Sequence, residues 1–159
     1  DDVVFIRNAV SDVSDEKADF FLHAQDKFEN YGKTFDNPGC SSLFKLKDHL
    51  KYYPQISKTE KISVFTITID DAISRLELDP KKYQMLVMDL QGGEFKALCG
   101  MEKTLEHIRV IHTELAHVEL YEGGTTIKPV VKYLMDRGFK YSGFKSMHST
   151  WGDGWFIRC

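Results

Sequence analysis

Residues 83–100, YQMLVMDLQGGEFKALCG, place a carboxylate at the end of an apolar run, then two glycines, then a second carboxylate where a helical pattern begins. An apolar run such as Met85 to Met88 reads as a buried strand, and it lifts Asp89 to the edge of a sheet. Gly92 and Gly93 permit a tight turn in which backbone approaches a ligand with no Cβ in the way. The helix starting near Phe95 points its free N–H groups at the same crevice, where an anion gains ~0.3–1 kcal/mol. Two readings follow. Either Asp89 and Glu94 are held within reach of a bound ligand, or Glu94 caps its own helix and Asp89 is a solvated strand end. Two further strand ends carry polar groups: Asn8, Ser11 and Asp12 on the first, and His112, Glu114 and His117 on the late strand IRVIHTELA. Ligands of open α/β sheets bind beyond the carboxyl ends of the strands, so these three groups define the candidate site.

The elements that must position them alternate along the chain. VVFIRNAVSD and KADFFLHAQ read as strands, and Asp26 to Ser42, with Asn30, Gly32, Asn37, Pro38 and Gly39, reads as a long surface loop. FKLKDHLKYY holds a short helical turn. KISVFTITID is a strand, after which Asp70 or Asp71 caps the helix DAISRLEL. A helix runs from about Phe95 into LCGMEKTLEHI. Another, TTIKPVVKYLMDRG, has Thr125 or Thr126 as cap, Pro129 near its first turn and Gly138 past its end. FKYSGFKS and GDGWFIRC close as a hairpin. Strands alternating with helices imply crossover units and a mostly parallel sheet, with the last hairpin antiparallel.

Composition narrows the class. With 159 residues, 42% hydrophobic and 28% charged, the chain is long enough for one domain with a real core and too ordinary for disorder. A net charge of −3 gives no long-range attraction for nucleic acid, and no apolar run is long enough to span a bilayer. Cys40, Cys99 and Cys159 are odd in number and widely spaced, which reads as free thiols in a cytoplasmic protein. His112, Glu114 and His117 are metal-ligand types, but H-T-E-L-A-H is not the helical H-E-x-x-H pattern. On a strand His112 and Glu114 share a face that His117 does not, so no metal is expected.

The segment LVMDLQGGEFKALCGMEKTLEHIRVIHTE resembles methyltransferases of the FkbM type, which carry a D-x-E-G-x-E-x-x-x-L-x-G turn followed by a strand ending in Glu. NAVSD, TITIDDAI, HTELAHVELYEGG and the closing GFKYSG and WFIRC stand in the matching order, so the resemblance covers nearly the whole chain. It implies an α/β fold with a Rossmann-like class I methyltransferase sheet, mostly parallel with an antiparallel C-terminal hairpin. The first two strand–helix units, about 60 residues at about 30 apiece, are absent, and with them the glycine-rich cofactor loop. The expectation is a single methyltransferase-like domain over 1–159, cut at its N-terminus, with an exposed sheet edge open to a second copy or another chain. The implied activity is transfer of a methyl group from S-adenosylmethionine to a hydroxyl of a small molecule or sugar. Asp89 and Glu94 are then expected near the sulfonium, Glu114 and His117 toward the acceptor, and Ser11 with Asp12 near the adenine. Any of Asp89, Glu94, Glu114 and His117 is a candidate base, while Gln91 and Gly92 belong to the cofactor turn. Gln91 stands where the family pattern has an acid. The competing expectation is a binding or scaffold module that keeps the shape without the cofactor.

Overall fold

The strand Val110–Ala116 alternates strictly, with Ile111, Thr113 and Leu115 buried and His112, Glu114 and Ala116 on the other side. Its period of two gives one face to the core and leaves His112, Glu114 and Ala116 half-buried on the other. The computed structural model describes residues 3–24, 38–54, 56 and 58–159. Among these the strands are β1 (Ala9–Val10), β2 (Lys17–Ala24), β3 (Lys58–Ile67), β4 (Met85–Met88), β5 (Val110–Ala116), β6 (Phe139–Ser146) and β7 (Trp151–Arg158). The helices are α1 (His49–Tyr52), α2 (Ile69–Arg75), α3 (Glu94–Cys99), α4 (Glu102–Leu105) and α5 (Ile127–Met135).

Two sheets form, in the orders β1-β3-β2 and β4-β5-β7-β6. The core lies on one face of the second, where Leu98 and Met101 around α3, Leu105 of α4 and Val130 and Leu134 of α5 pack on Ile111, Leu115 and Phe156. The α/β class and the antiparallel C-terminal hairpin agree with the sequence reading. The mostly parallel sheet does not. Only β1 with β3 and β4 with β5 run parallel; β2 with β3, β5 with β7 and β6 with β7 are antiparallel. The connection from β6 to β7 is too short for a crossover, so β7 must return antiparallel and settles between β5 and β6. The first expected strand is also shorter than read, since Val3, Val4, Phe5 and Ile6 precede β1 as exposed, unpaired chain. Of the expected loop from Asp26 to Ser42, residues 26–37 lie outside the described residues; Pro38–Cys40 is a 3-10 turn and Ser42 bridges to Phe21.

Local capping differs in an informative way. Thr68, not Asp70 or Asp71, caps α2 by accepting from the Asp71 N–H at 3.1 Å. Asp70 is thereby free to reach α4, accepting from the N–H groups of Lys103 at 3.0 Å and Thr104 at 2.8 Å and from the Thr104 hydroxyl at 2.6 Å. A negative charge at these orphan donors starts a second helix where the sequence pattern suggested one continuous helix. Thr126 occupies the N-cap of α5 without a side-chain bond to it. The break between α3 and α4 falls at Gly100, where a Cβ would lie 2.3 Å from the Ser11 carbonyl oxygen. That contact, with Asp70 N–H donating to the Gly100 carbonyl at 3.1 Å, ties the two sheets' segments together. Gly100→Ala should therefore cost about 1–3 kcal/mol, measured as a lower urea midpoint, because backbone must move to admit the methyl.

Candidate active site

The corner after β4 is built around one buried carboxylate. Glu94 is 4% exposed, and its oxygens accept from the N–H of Leu90 at 2.8 Å and of Gly92 at 3.1 Å. It thus closes the turn that precedes α3; the helix N-cap is Gly93, which has no side chain to offer. Gln91 (φ 53°) and Gly92 (φ 96°) are both left-handed. Glycine takes that conformation freely, whereas for Gln91 it costs ~1–2 kcal/mol, so its side chain must find compensating partners.

It finds three. The parallel register of β4 and β5 pairs Met88 with Thr113, which sets Asp89 beside Glu114. The Gln91 Nε2 donates to Asp89 Oδ1 and, at 3.5 Å, to Glu114 Oε1. Its Oε1 accepts from the hydroxyl of Tyr121 at 2.6 Å, and its main-chain carbonyl accepts from Ser42 Oγ at 2.7 Å. Across the sheet the same line continues, since Glu114 pairs with Asp153 of β7 and Asp153 with Lys145 of β6. One step along, His112 stacks on Trp155 at 4.1 Å with its Nε2 3.7 Å from Asp153. Gly92, Glu94, Glu114, Ala116, Tyr121 and Thr125 help line a cavity of about 10 Å³, room for roughly one water.

Burial sets the electrostatics. It pushes the Glu114 carboxyl up to about 8, helped by the charges of Asp89, Glu94 and Asp153 and opposed by the Gln91 hydrogen bond. Glu94 is likewise raised by burial, reinforced by Asp89 and offset by the backbone N–H groups it accepts. Burial raises the Tyr121 phenol too, so it stays a neutral donor.

Of the residues singled out in the sequence, Asp89, Gln91, Gly92, Glu94 and Glu114 meet here. Ser11 and Asp12 do not: they abut Gly100 at the opposite end of α3, where Ser11 Oγ donates to Asp12 at 2.9 Å and Asp12 lies 3.4 Å from Lys96. His117 is exposed and packs edge-on against Phe144 at 4.8 Å, away from the cavity lining, because it falls one residue past the end of β5. Trp151 donates to the Tyr53 hydroxyl at 2.8 Å and His148 packs on Tyr53. Among the described residues no group of three or more His, Cys, Asp or Glu side chains is arranged to hold a metal. Sequence reasoning passed over Tyr121 and Ser42, both 3% exposed or less, and Asp153. For Tyr121 the available signal was a large aromatic inside the acidic, glycine-rich ELYEGG.

Two outcomes follow. Glu94→Gln removes one acceptor and faces an amide against a backbone N–H, so unfolding free energy should fall by about 1–3 kcal/mol. For Glu114 the folded pKa lies above the unfolded one, so protonation favours the folded chain; that stability is present below about 4.5 and lost as pH rises to about 8. Denaturation from pH 5 to 9 should show Glu114→Gln gaining on the parent with rising pH; a constant difference would contradict the buried carboxyl.

A family model described as the methyltransferase FkbM domain matches residues 3–141. The 2-O-methyltransferase NoeI of Sinorhizobium fredii (strain NBRC 101917 / NGR234) is 33% identical over 93 residues, which is 58% of this chain and 37% of that protein. The chain thus spans well under half the length of the curated relative it matches. No solved structure matches at a significant level. The family match reaches from the exposed N-terminal segment through the Gly-Gly corner and the Glu114 strand into β6, and on it the chain belongs to the FkbM methyltransferase family.

Proposed function

We propose that this domain serves methyl transfer from S-adenosylmethionine to a hydroxyl of a small molecule or sugar, within a Rossmann-like class I arrangement. The observation that carries the reading is the meeting of Asp89 and Glu114 at one rim of the sheet, bridged by Gln91 beside the Gly92 turn. The donor set suits a cation: Asp89 and Glu114 have no ion pair with lysine or arginine among the described residues, and carboxylates of that kind match the ammonium and sulfonium charges of this cofactor, which supplies the methyl group when bound. Asp89 would hold it, with Glu114 beside it on the acceptor side. The N–H groups of Leu90 and Gly92 are already bonded to Glu94, so Glu94 acts by fixing the corner and not as a base.

Displacement at a methyl group gains most from alignment, up to ~7–11 kcal/mol in ideal geometry. Removal of the hydroxyl proton adds roughly 10²–10⁴ in rate. Glu114 is the better candidate for that step, since a carboxyl held near 8 is, once ionised, a stronger base than an ordinary carboxylate. NoeI bears a 2-O-methyltransferase name, which supports oxygen as the receiving atom. The aromatic groups of Tyr53, His148 and Trp151 are candidates to line the acceptor side.

A second reading, a methyltransferase-like module without cofactor chemistry, draws support from the size of the cavity beside Glu114 and Glu94, about 10 Å³. Calorimetry on the native protein separates the two. Micromolar binding of S-adenosylmethionine, abolished by Asp89→Asn, fits methyl transfer; no binding at millimolar concentration fits the module. In the active case turnover should rise with pH through about 8, and Glu114→Gln should lower it by roughly 10²–10⁴.

A further inference from the structure

Gln91 lies between the acids of the corner, and the structure gives its carboxamide a chemical content. Once Glu114 is ionised along with Asp89, the two neighbouring carboxylates can only accept hydrogen bonds, so a group lying between them must donate to both. A carboxamide does this with its NH2, provided that its oxygen is turned away. The Tyr121 hydroxyl supplies that orientation. It is buried at 3% exposure and has two acceptors within reach, the Cys40 carbonyl at 3.1 Å and Gln91 Oε1 at 2.6 Å; donation to the nearer, Gln91 Oε1, leaves Nε2 toward Asp89 and Glu114. The backbone is fixed as well: Gln91 sits at φ 53°, with its carbonyl bonded to Ser42 Oγ at 2.7 Å. A side chain held at both ends in a costly backbone conformation is placed for its head group.

We propose that Gln91 is the positioning residue of this site: its carboxamide, turned by the Tyr121 hydroxyl, holds the exposed Asp89 carboxylate and the half-buried Glu114 carboxylate together as one paired acceptor at the corner. Tyr121 acts through Gln91 and touches neither acid in the hydrogen-bond network. An acid at position 91 would still accept from Tyr121 but would present a third acceptor to the pair, which then needs an extra proton. Glutamine keeps the pair open to a ligand that brings its own positive charge or its own donors. What the pair is for rests on the methyl-transfer reading; that the carboxamide holds it does not.

The groups around Glu114 are Asp89 at the end of β4, Glu94 of α3, Asp153 of β7, and Gln91 and Tyr121 from the two corners. The test is the titration of the Glu114 carboxyl carbon by NMR in the native protein without cofactor. Tyr121→Phe frees the carboxamide to rotate, and Gln91→Leu removes its donors; each should move the Glu114 midpoint up by about 0.5–1 pH unit. Because Tyr121 works through Gln91, the double variant should move no further than Gln91→Leu alone. Should Gln91→Leu fail to fold, Gln91→Glu replaces it, and that protein should take up one additional proton near neutral pH. A Tyr121→Phe midpoint within ~0.2 unit of the parent, or shifts that add in the double variant, would overturn the assignment. Since no cofactor is present, a protein that does not bind S-adenosylmethionine leaves this result unaffected.

Discussion

A carboxylate out of water needs donors, and Glu94 takes them from the backbone of the turn that precedes it. Its two oxygens gather the N–H groups of Leu90 and Gly92, a pair that the tight corner would otherwise leave unsatisfied. Closing the turn in this way fixes where β4 stops and α3 starts. It therefore fixes the direction in which Asp89 and Gln91 leave the sheet. Every other feature of the site depends on that closure: the left-handed Gln91, the approach of Tyr121 to within 3.3 Å of a Gly92 Cβ position, and the contact of Nε2 with two acids.

The electrostatic consequence is a concentration of negative charge with few compensating cations. Asp89, Glu114 and Asp153 lie in line across three strands, and Lys145 meets the line only at its far end. Burial first, and then the neighbouring charges of Asp89, Glu94 and Asp153, make the Glu114 carboxyl hold its proton toward pH 8. Activity and stability are in tension here, as at many sites that bind charge. A cationic ligand would relieve the repulsion that the neighbouring acids add to burial.

Much of this was legible in the sequence, for reasons that differ by element. The apolar run MLVM followed by Asp and two glycines announces a strand, a corner and a helix, and the alternation of VIHTELA states which face Glu114 takes. Convergence of Asp89 with Glu114 follows from two parallel strands in register. Other parts were not legible because they depend on distant chain. Asp70 reads as a cap for its own helix, and only the fold brings α4 to it. Ser11 and Asp12 follow a strand end like the others, yet β1 belongs to a different sheet and delivers them to the far end of α3. The antiparallel return of β7 between β5 and β6 and the role of Tyr121 are likewise tertiary facts. FkbM membership was readable from ordered motifs, and the family match bears it out.

On the proposed methyl transfer, the Gly-Gly corner and the Glu114 strand form one unit that faces the cofactor. A ¹H–¹⁵N NMR titration of the native protein with S-adenosylmethionine tests it most directly. The amides of residues 89–94 and 113–115 should shift together, with a common midpoint. Shifts confined to the opposite end of the sheet, around Arg109 and Arg158, with the corner unmoved, would contradict it.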